Sequence, residues 1–110
     1  MSELVISLLD NEQTKSNICN KILRSLPEWF GIEQAIVDYV NDVRNMPTWL
    51  AEEDAESVAF LSLKIHNEYT AEIHVMGVIK SYHRQGVGQK LIKEAEAYLK
   101  RRHILTPTPA

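Results

Sequence analysis

A nine-residue run with strand character, Ala71 to Ile79, leads through His83-Arg84-Gln85-Gly86-Val87-Gly88-Gln89 into an amphipathic segment. This junction constrains the fold more than any other feature of the chain. Val87, Leu91, Ile92, Ala95, Tyr98 and Leu99 form one apolar stripe at helical spacing, which predicts a helix from about Gly86 to Arg102. Glycines allow close approach of a ligand to the backbone, and the first N–H groups of a helix lack intrahelical acceptors. A strand, a glycine turn and a helix N-terminus together can hold phosphate. The dinucleotide fingerprint requires a third glycine where Leu91 stands, and the Walker pattern requires Gly-Lys-Ser/Thr where Gly88-Gln89-Lys90 stands. Taken alone, the turn reads equally as a phosphate cradle and as a steric strand-to-helix connection.

The remainder of the chain supplies what such a junction packs against. Leu4 to Leu9 reads as a buried strand ending at Asp10-Asn11. Ile18, Ile22, Leu23 and Leu26 mark a first helix, broken by Pro27. Ile32, Ala35, Ile36, Tyr39, Val40 and Val43 mark a second, closed by Asn45-Met46-Pro47. Strands are predicted at Thr48 to Glu52 and Ser57 to Ile65, joined by a hairpin turn at Glu53-Asp54-Ala55-Glu56. Asn67-Glu68-Tyr69 forms the turn before the last strand. Strict alternation there puts Ala71, Ile73, Val75 and Ile79 on one face, and Glu72, His74, Met76 and Val78 on the other. The order is β-α-α-β-β-β-α, an α/β domain with one mixed sheet and helices packed on it. The domain is expected to span residues 1–103, with 104–110 a short, frayed tail.

Length and charge exclude several classes. A chain of 110 residues suits one domain with one core. A net charge of −3 argues against nucleic-acid binding, which calls for a basic surface. The basic end Lys100-Arg101-Arg102-His103 reads as the solvated C-terminus of a helix. A single cysteine, Cys19, rules out an intrachain disulfide, fits a reducing cytoplasm, and has no local histidine to activate it. No signal peptide and no membrane span are expected. Four histidines and one cysteine form no zinc pattern, so no metal is expected. Trp29, Phe30 and Trp49 read as core or substrate-wall aromatics, core being favoured because large aromatics usually bury.

The run Tyr82-His83-Arg84-Gln85-Gly86-Val87-Gly88-Gln89-Lys90-Leu91-Ile92 resembles motif A of the GNAT superfamily of N-acetyltransferases. That motif, Arg/Gln-x-x-Gly-x-Gly/Ala, follows a strand and opens a helix. His83 stands at its first position, with Arg84 beside it. The order of elements over residues 3–103 resembles the N-terminal part of the same fold, and Leu26-Pro27-Glu28-Trp29-Phe30-Gly31 resembles the bend between its first two helices.

The resemblance implies an N-acetyltransferase. It would pass an acetyl group from acetyl-CoA to an amine of a small molecule or peptide, by direct attack in a ternary complex. Backbone N–H groups of Gln85, Gly86, Val87, Gly88 and Gln89 would hold the pyrophosphate, Arg84 adding charge, and His83 would also belong to the cofactor site. Met76, Gly77 and Val78 would pair with the pantetheine arm, and a backbone N–H there would stabilise the oxyanion. Glu72 and His74 are the candidate proton acceptors. Glu72 lies fourteen residues before Gly86, where histone-acetylating members place their base glutamate.

In the family the fold continues past this helix with a strand, a fourth helix that often carries a tyrosine acid, and a closing strand pair. None of these fits between His103 and Ala110. The chain is therefore expected to lack the usual C-terminal strands and fourth helix, leaving the edge beside Ala71 to Ile79 exposed. A shortened gene product, a homodimer completed across that edge, and a non-catalytic acyl-CoA-binding or oligomerising remnant are the alternatives. The Thr106-Pro107-Thr108-Pro109-Ala110 ending favours the first.

Overall fold

A computed structural model describes residues 3–68 and 70–102 and the backbone of residues 108–109. Its elements are β1 (Leu4–Leu9), α1 (Glu12–Arg24), α2 (Glu33–Asp42), β2 (Thr48–Glu53), β3 (Glu56–Ile65), β4 (Ala71–Val78), α3 (Val87–Arg101) and β5 (Thr108–Pro109). Single 3-10 turns occupy Val43–Asn45 and Lys80–Tyr82. The sheet order is β1-β2-β3-β4-β5, with β1 to β4 antiparallel to their neighbours. The predicted β-α-α-β-β-β-α order holds up to α3. The short β5 departs from the expected tail: it pairs parallel with β4 at Glu72 and Ile73, covering part of the edge expected to be open. Proline suits such an edge because it has no N–H to present. Residues 104–107 and 110 of that tail, and Tyr69 of the predicted turn, lie outside the described residues.

Local chemistry accounts for the element boundaries. Asn11 caps α1, its side-chain oxygen accepting from the Thr14 N–H at 3.0 Å. Pro27 follows the end of α1 by three residues. Asp54 and Ala55 make a two-residue hairpin turn with φ of 53° and 64°, the mirror-image geometry that matches strand twist.

The sheet is covered on both faces, which is why β3 is buried almost throughout. On one face Val87, Leu91, Ala95 and Leu99 of α3 pack on Ala51, Ala59, Leu61 and Leu63. On the other, Cys19, Ile22 and Leu23 of α1, with Ile36 and Val43, pack on Phe60 and Val75. Thr48 and Ser62 are cross-strand partners, fully buried and bonded through their hydroxyls at 2.8 Å. Thr48 donates onward to the Met46 carbonyl, so Ser62 is the donor between them. Among the described residues no helix is long and apolar enough to cross a membrane.

Candidate acyl-CoA groove and proton-acceptor cluster

The predicted alternation of β4 fails at one residue. Residues directly opposite across an antiparallel pair share a face. Leu63 opposes Ile73 and Leu61 opposes Met76, so one residue of β3 faces two of β4 between them. Ser62 takes Val75, and His74 is the extra residue of a β-bulge. Ala71, Ile73, Met76 and Val78 therefore lie on the α3 face, and Val75 and Gly77 on the α1/α2 face. Glu72 and His74 do not share a face with Met76 and Val78, as strict alternation had them.

Downstream of the bulge, β4 forms the floor of a groove of about 470 Å³. Leu26, Trp29 and Phe30, from the α1–α2 connection, make one wall. Gly86, Gly88, Gln89 and Ile92 of the turn and α3 make the other. Gly77 lets β4 lie close under α1: a Cβ there would stand 3.0 Å from Ile22 Cγ2 and 3.1 Å from Phe60 Cε1. Its role in the floor is thus close packing, with only backbone offered to a ligand.

The turn is held in a specific shape. Arg84 and Gly86 take left-handed φ values of 65° and 78°. For Arg84 this conformation costs about 1 kcal/mol, and the Gln85 side chain, donating to the Ser81 carbonyl at 2.9 Å, helps to hold it. A Cβ on Gly86 would meet nothing within 4 Å, so glycine is favoured there by φ alone. No side chain caps α3, and the first N–H groups of a helix have no intrahelical acceptor. Arg84 is exposed at the groove wall. The Gln85 side chain is turned back on Ser81, and Val87 is buried in the core, so these two can contribute only through backbone.

The His83 backbone N–H is engaged by the Lys80 carbonyl at 3.1 Å. The side-chain Nε2–H of His83 donates to the Val78 carbonyl at 2.6 Å, and its ring stands edge-on to Trp29 at 5.2 Å. The imidazole thereby occupies the Val78 backbone acceptor at the groove floor. Trp49 is buried core as expected. Trp29, however, is 55% exposed and walls the groove. The signal that could have found it is its place just after Pro27, in a connection rather than on an apolar stripe.

Tyr82, the first residue of the motif run but given no role there, also lines the groove. Its hydroxyl donates to Glu53 Oε1 at 2.6 Å. That bond, with burial and the charges of Glu53, Glu56 and Asp54, pushes the phenol up to about 12, so it stays protonated near neutral pH. Burial, then the charge of Asp42, pushes the Cys19 thiol up to about 12, leaving it no nucleophile.

Neither Glu72 nor His74 lines the groove. Glu72 Oε1 lies 3.0 Å from His66 Nε2. His74 Nε2 lies 3.1 Å from Asp42 Oδ2, and its ring stands edge-on to Tyr39 at 5.4 Å. Asp42, the last residue of α2, was not singled out by any motif.

The same architecture occurs in solved N-acetyltransferases. An aminoglycoside 6'-N-acetyltransferase from Enterococcus faecium superposes with a TM-score of 0.74 at 21% identity, over 92% of this chain and 58% of its own. A PaiA N-acetyltransferase from Thermoplasma acidophilum, solved with coenzyme A, gives 0.72 at 20% identity, over 94% and 76%. The ribosomal-protein-S18-alanine N-acetyltransferase of Escherichia coli gives 0.72 at 19% identity, over 91% and 61%. This chain spans between 57% and 67% of the length of three aminoglycoside acetyltransferases that it resembles. No curated protein matches it significantly in sequence. The profile of the acetyltransferase (GNAT) family matches residues 16–107, and the chain belongs to that family.

Proposed function

We propose that the groove binds acetyl-CoA and that the protein transfers the acetyl group to an amine. The observation that carries this reading is the uncapped α3 N-terminus, opening through Gly86 onto an apolar groove along the β4 edge. An N–H-rich end suits pyrophosphate, and an apolar channel beside strand backbone suits a pantetheine arm. Arg84 adds a cation at the phosphate end. Met76, Gly77 and Val78 supply backbone to the arm once the His83 imidazole leaves the Val78 carbonyl. A backbone N–H near Met76 to Val78 would stabilise the developing negative charge on the thioester oxygen.

Transfer by direct attack needs no side-chain nucleophile, which accords with the inert Cys19. The amine must lose a proton, and Glu72 and His74 are the candidate acceptors on β4. The related proteins act on aminoglycosides and on a ribosomal-protein alanine, so both small-molecule amines and peptide N-termini belong in the test. A single buried thiol and an acyl-CoA donor fit a cytoplasmic setting.

Calorimetric titration with acetyl-CoA, combined with thiol release against a panel of amines, tests the proposal. Saturable binding with amine-dependent thiol release is expected. Binding without release from any amine would favour a non-catalytic acyl-CoA-binding module, and no binding would overturn the assignment of the groove. Molar mass in solution decides whether a homodimer forms.

A further inference from the structure

The two edges of the sheet are protected unequally. At one edge β4 is partly covered by β5, which includes Pro109. At the other, β1 has β2 as its only neighbour among the described residues, so its outer N–H and C=O groups meet no strand. Leu4-Val5-Ile6-Ser7-Leu8-Leu9 holds no proline and no charged residue, the usual protection of an edge against pairing. Its register with β2 is unbroken, so no bulge bends this edge away.

Two apolar side chains of β1 are left in water, Val5 at 55% and Leu8 at 50% exposure. Leu8 is opposite Trp49 and lies on the α3 face, which puts Val5 on the other. An occupant of this edge must therefore offer apolar groups on both faces and backbone between them. A strand does so, whereas a helix would cover one face only.

A second β1 meets the requirement in one register. Opposite residues of an antiparallel pair share a face, so a two-fold axis must pass through a pair of identical residues. With the axis at Ser7, Val5 lies opposite the second copy's Leu9, and Leu8 opposite its Ile6. Both exposed side chains gain an apolar neighbour, and the two Ser7 hydroxyls meet, as those of Thr48 and Ser62 do within the sheet. With the axis at Ile6, Val5 would face a serine instead.

We propose that the protein self-associates through β1, two copies pairing antiparallel about Ser7 into one continuous sheet. The six residues of β1 span about 20 Å. That is a small contact, so the dimer is weak and concentration-dependent. β2 and β3 separate this edge from the groove along β4, and the proposal is independent of the acetyl-transfer reading.

Sedimentation equilibrium of the full chain tests it. From about 1 µM to about 1 mM the mass should rise from monomer toward dimer, as a weak interface requires. Ser7→Lys sets two ammonium groups opposite each other at the axis and should weaken association by about tenfold or more. Ser7 is exposed, so the thermal midpoint of that variant should stay near the wild-type value. Ser7→Cys should give a disulfide-linked dimer under mild oxidation, because opposite Cα atoms stand about 4.5 or 5.5 Å apart. Val5→Cys should not, because it faces Leu9 rather than itself. Cys19 is fully buried and does not compete. A wild type that stays monomeric at about 1 mM overturns the proposal. So does a dimer that persists undiminished in Ser7→Lys, which places the joint elsewhere, or a Val5→Cys variant that cross-links as readily as Ser7→Cys.

Discussion

Upstream of the bulge, β4 presents Glu72 and His74, whose polar atoms are engaged by His66 and by Asp42 of α2. Downstream, Met76, Gly77 and Val78 present apolar side chains, one glycine and a run of backbone at the groove floor. The two halves belong to one strand, but a single extra residue turns their even-numbered side chains to opposite faces of the sheet. A bulge thus separates the hydrogen-bonded polar side chains of β4 from the groove floor.

The sharpest way to break this comparison is at Gly77, where the downstream half is clamped under α1. Gly77→Val should cost roughly 3 kcal/mol, because its Cβ alone meets Ile22 and Phe60 at 3.0 and 3.1 Å. A urea titration checks it, and an unchanged midpoint would mean that β4 is free to move away from α1. Next in size is the phosphate end. Gly86→Glu should weaken acetyl-CoA binding by at least tenfold, about 1.4 kcal/mol, through charge repulsion. Its stability should fall by only about 1 kcal/mol, since space is open there and φ alone is strained. Calorimetry and thermal denaturation separate the two effects. Equal affinity in the folded variant would remove this turn from the binding site.

His83→Ala sharpens the reading of the downstream half. If the imidazole must leave the Val78 carbonyl for a ligand to bind, a contact worth about 1 kcal/mol is lost on binding, and the variant should bind acetyl-CoA about fivefold more tightly. A weaker affinity would show that His83 itself touches the ligand. The smallest effect concerns Cys19, which lies on the upstream side, within the field of Asp42. Its folded-state thiol is raised from 9.0 to about 12, so the unfolded state loses its proton first. Between those values the unfolded state binds fewer protons, and stability falls as pH rises. Urea midpoints of the wild type should therefore drop more from about pH 8 to about pH 10 than those of Cys19→Ala. Equal slopes would show that the thiol ionises without unfolding.

Much of this was legible beforehand, and for specific reasons. The α3 stripe from Val87 to Leu99 is long and strictly periodic, and the core it forms is the one expected. Asn11 and Pro27 bracket the first helix with chemistry that acts over one turn. Gly86 was recognisable because a left-handed turn before a helix leaves a residue-level mark. The errors share a different cause. The bulge at His74 depends on how β3 pairs with β4, and nothing in the alternation of β4 itself marks it. Of the two readings of Trp29, core was favoured because large aromatics usually bury, and the structure has it as an exposed groove wall.

The sequence by itself therefore determined the elements up to α3, the face each helix buries, and the glycine turn that opens α3. These follow from periodicity, capping and backbone preference, all of which act between residues close in the chain. Only the tertiary structure decided that Asp42 meets His74, that His83 covers the Val78 carbonyl, and that Gly77 is a packing glycine. Each of these joins residues brought together by strand register or by the approach of a helix to the sheet. A shift of one residue in register turns side chains to the opposite face, and local preference carries almost no information about such a shift.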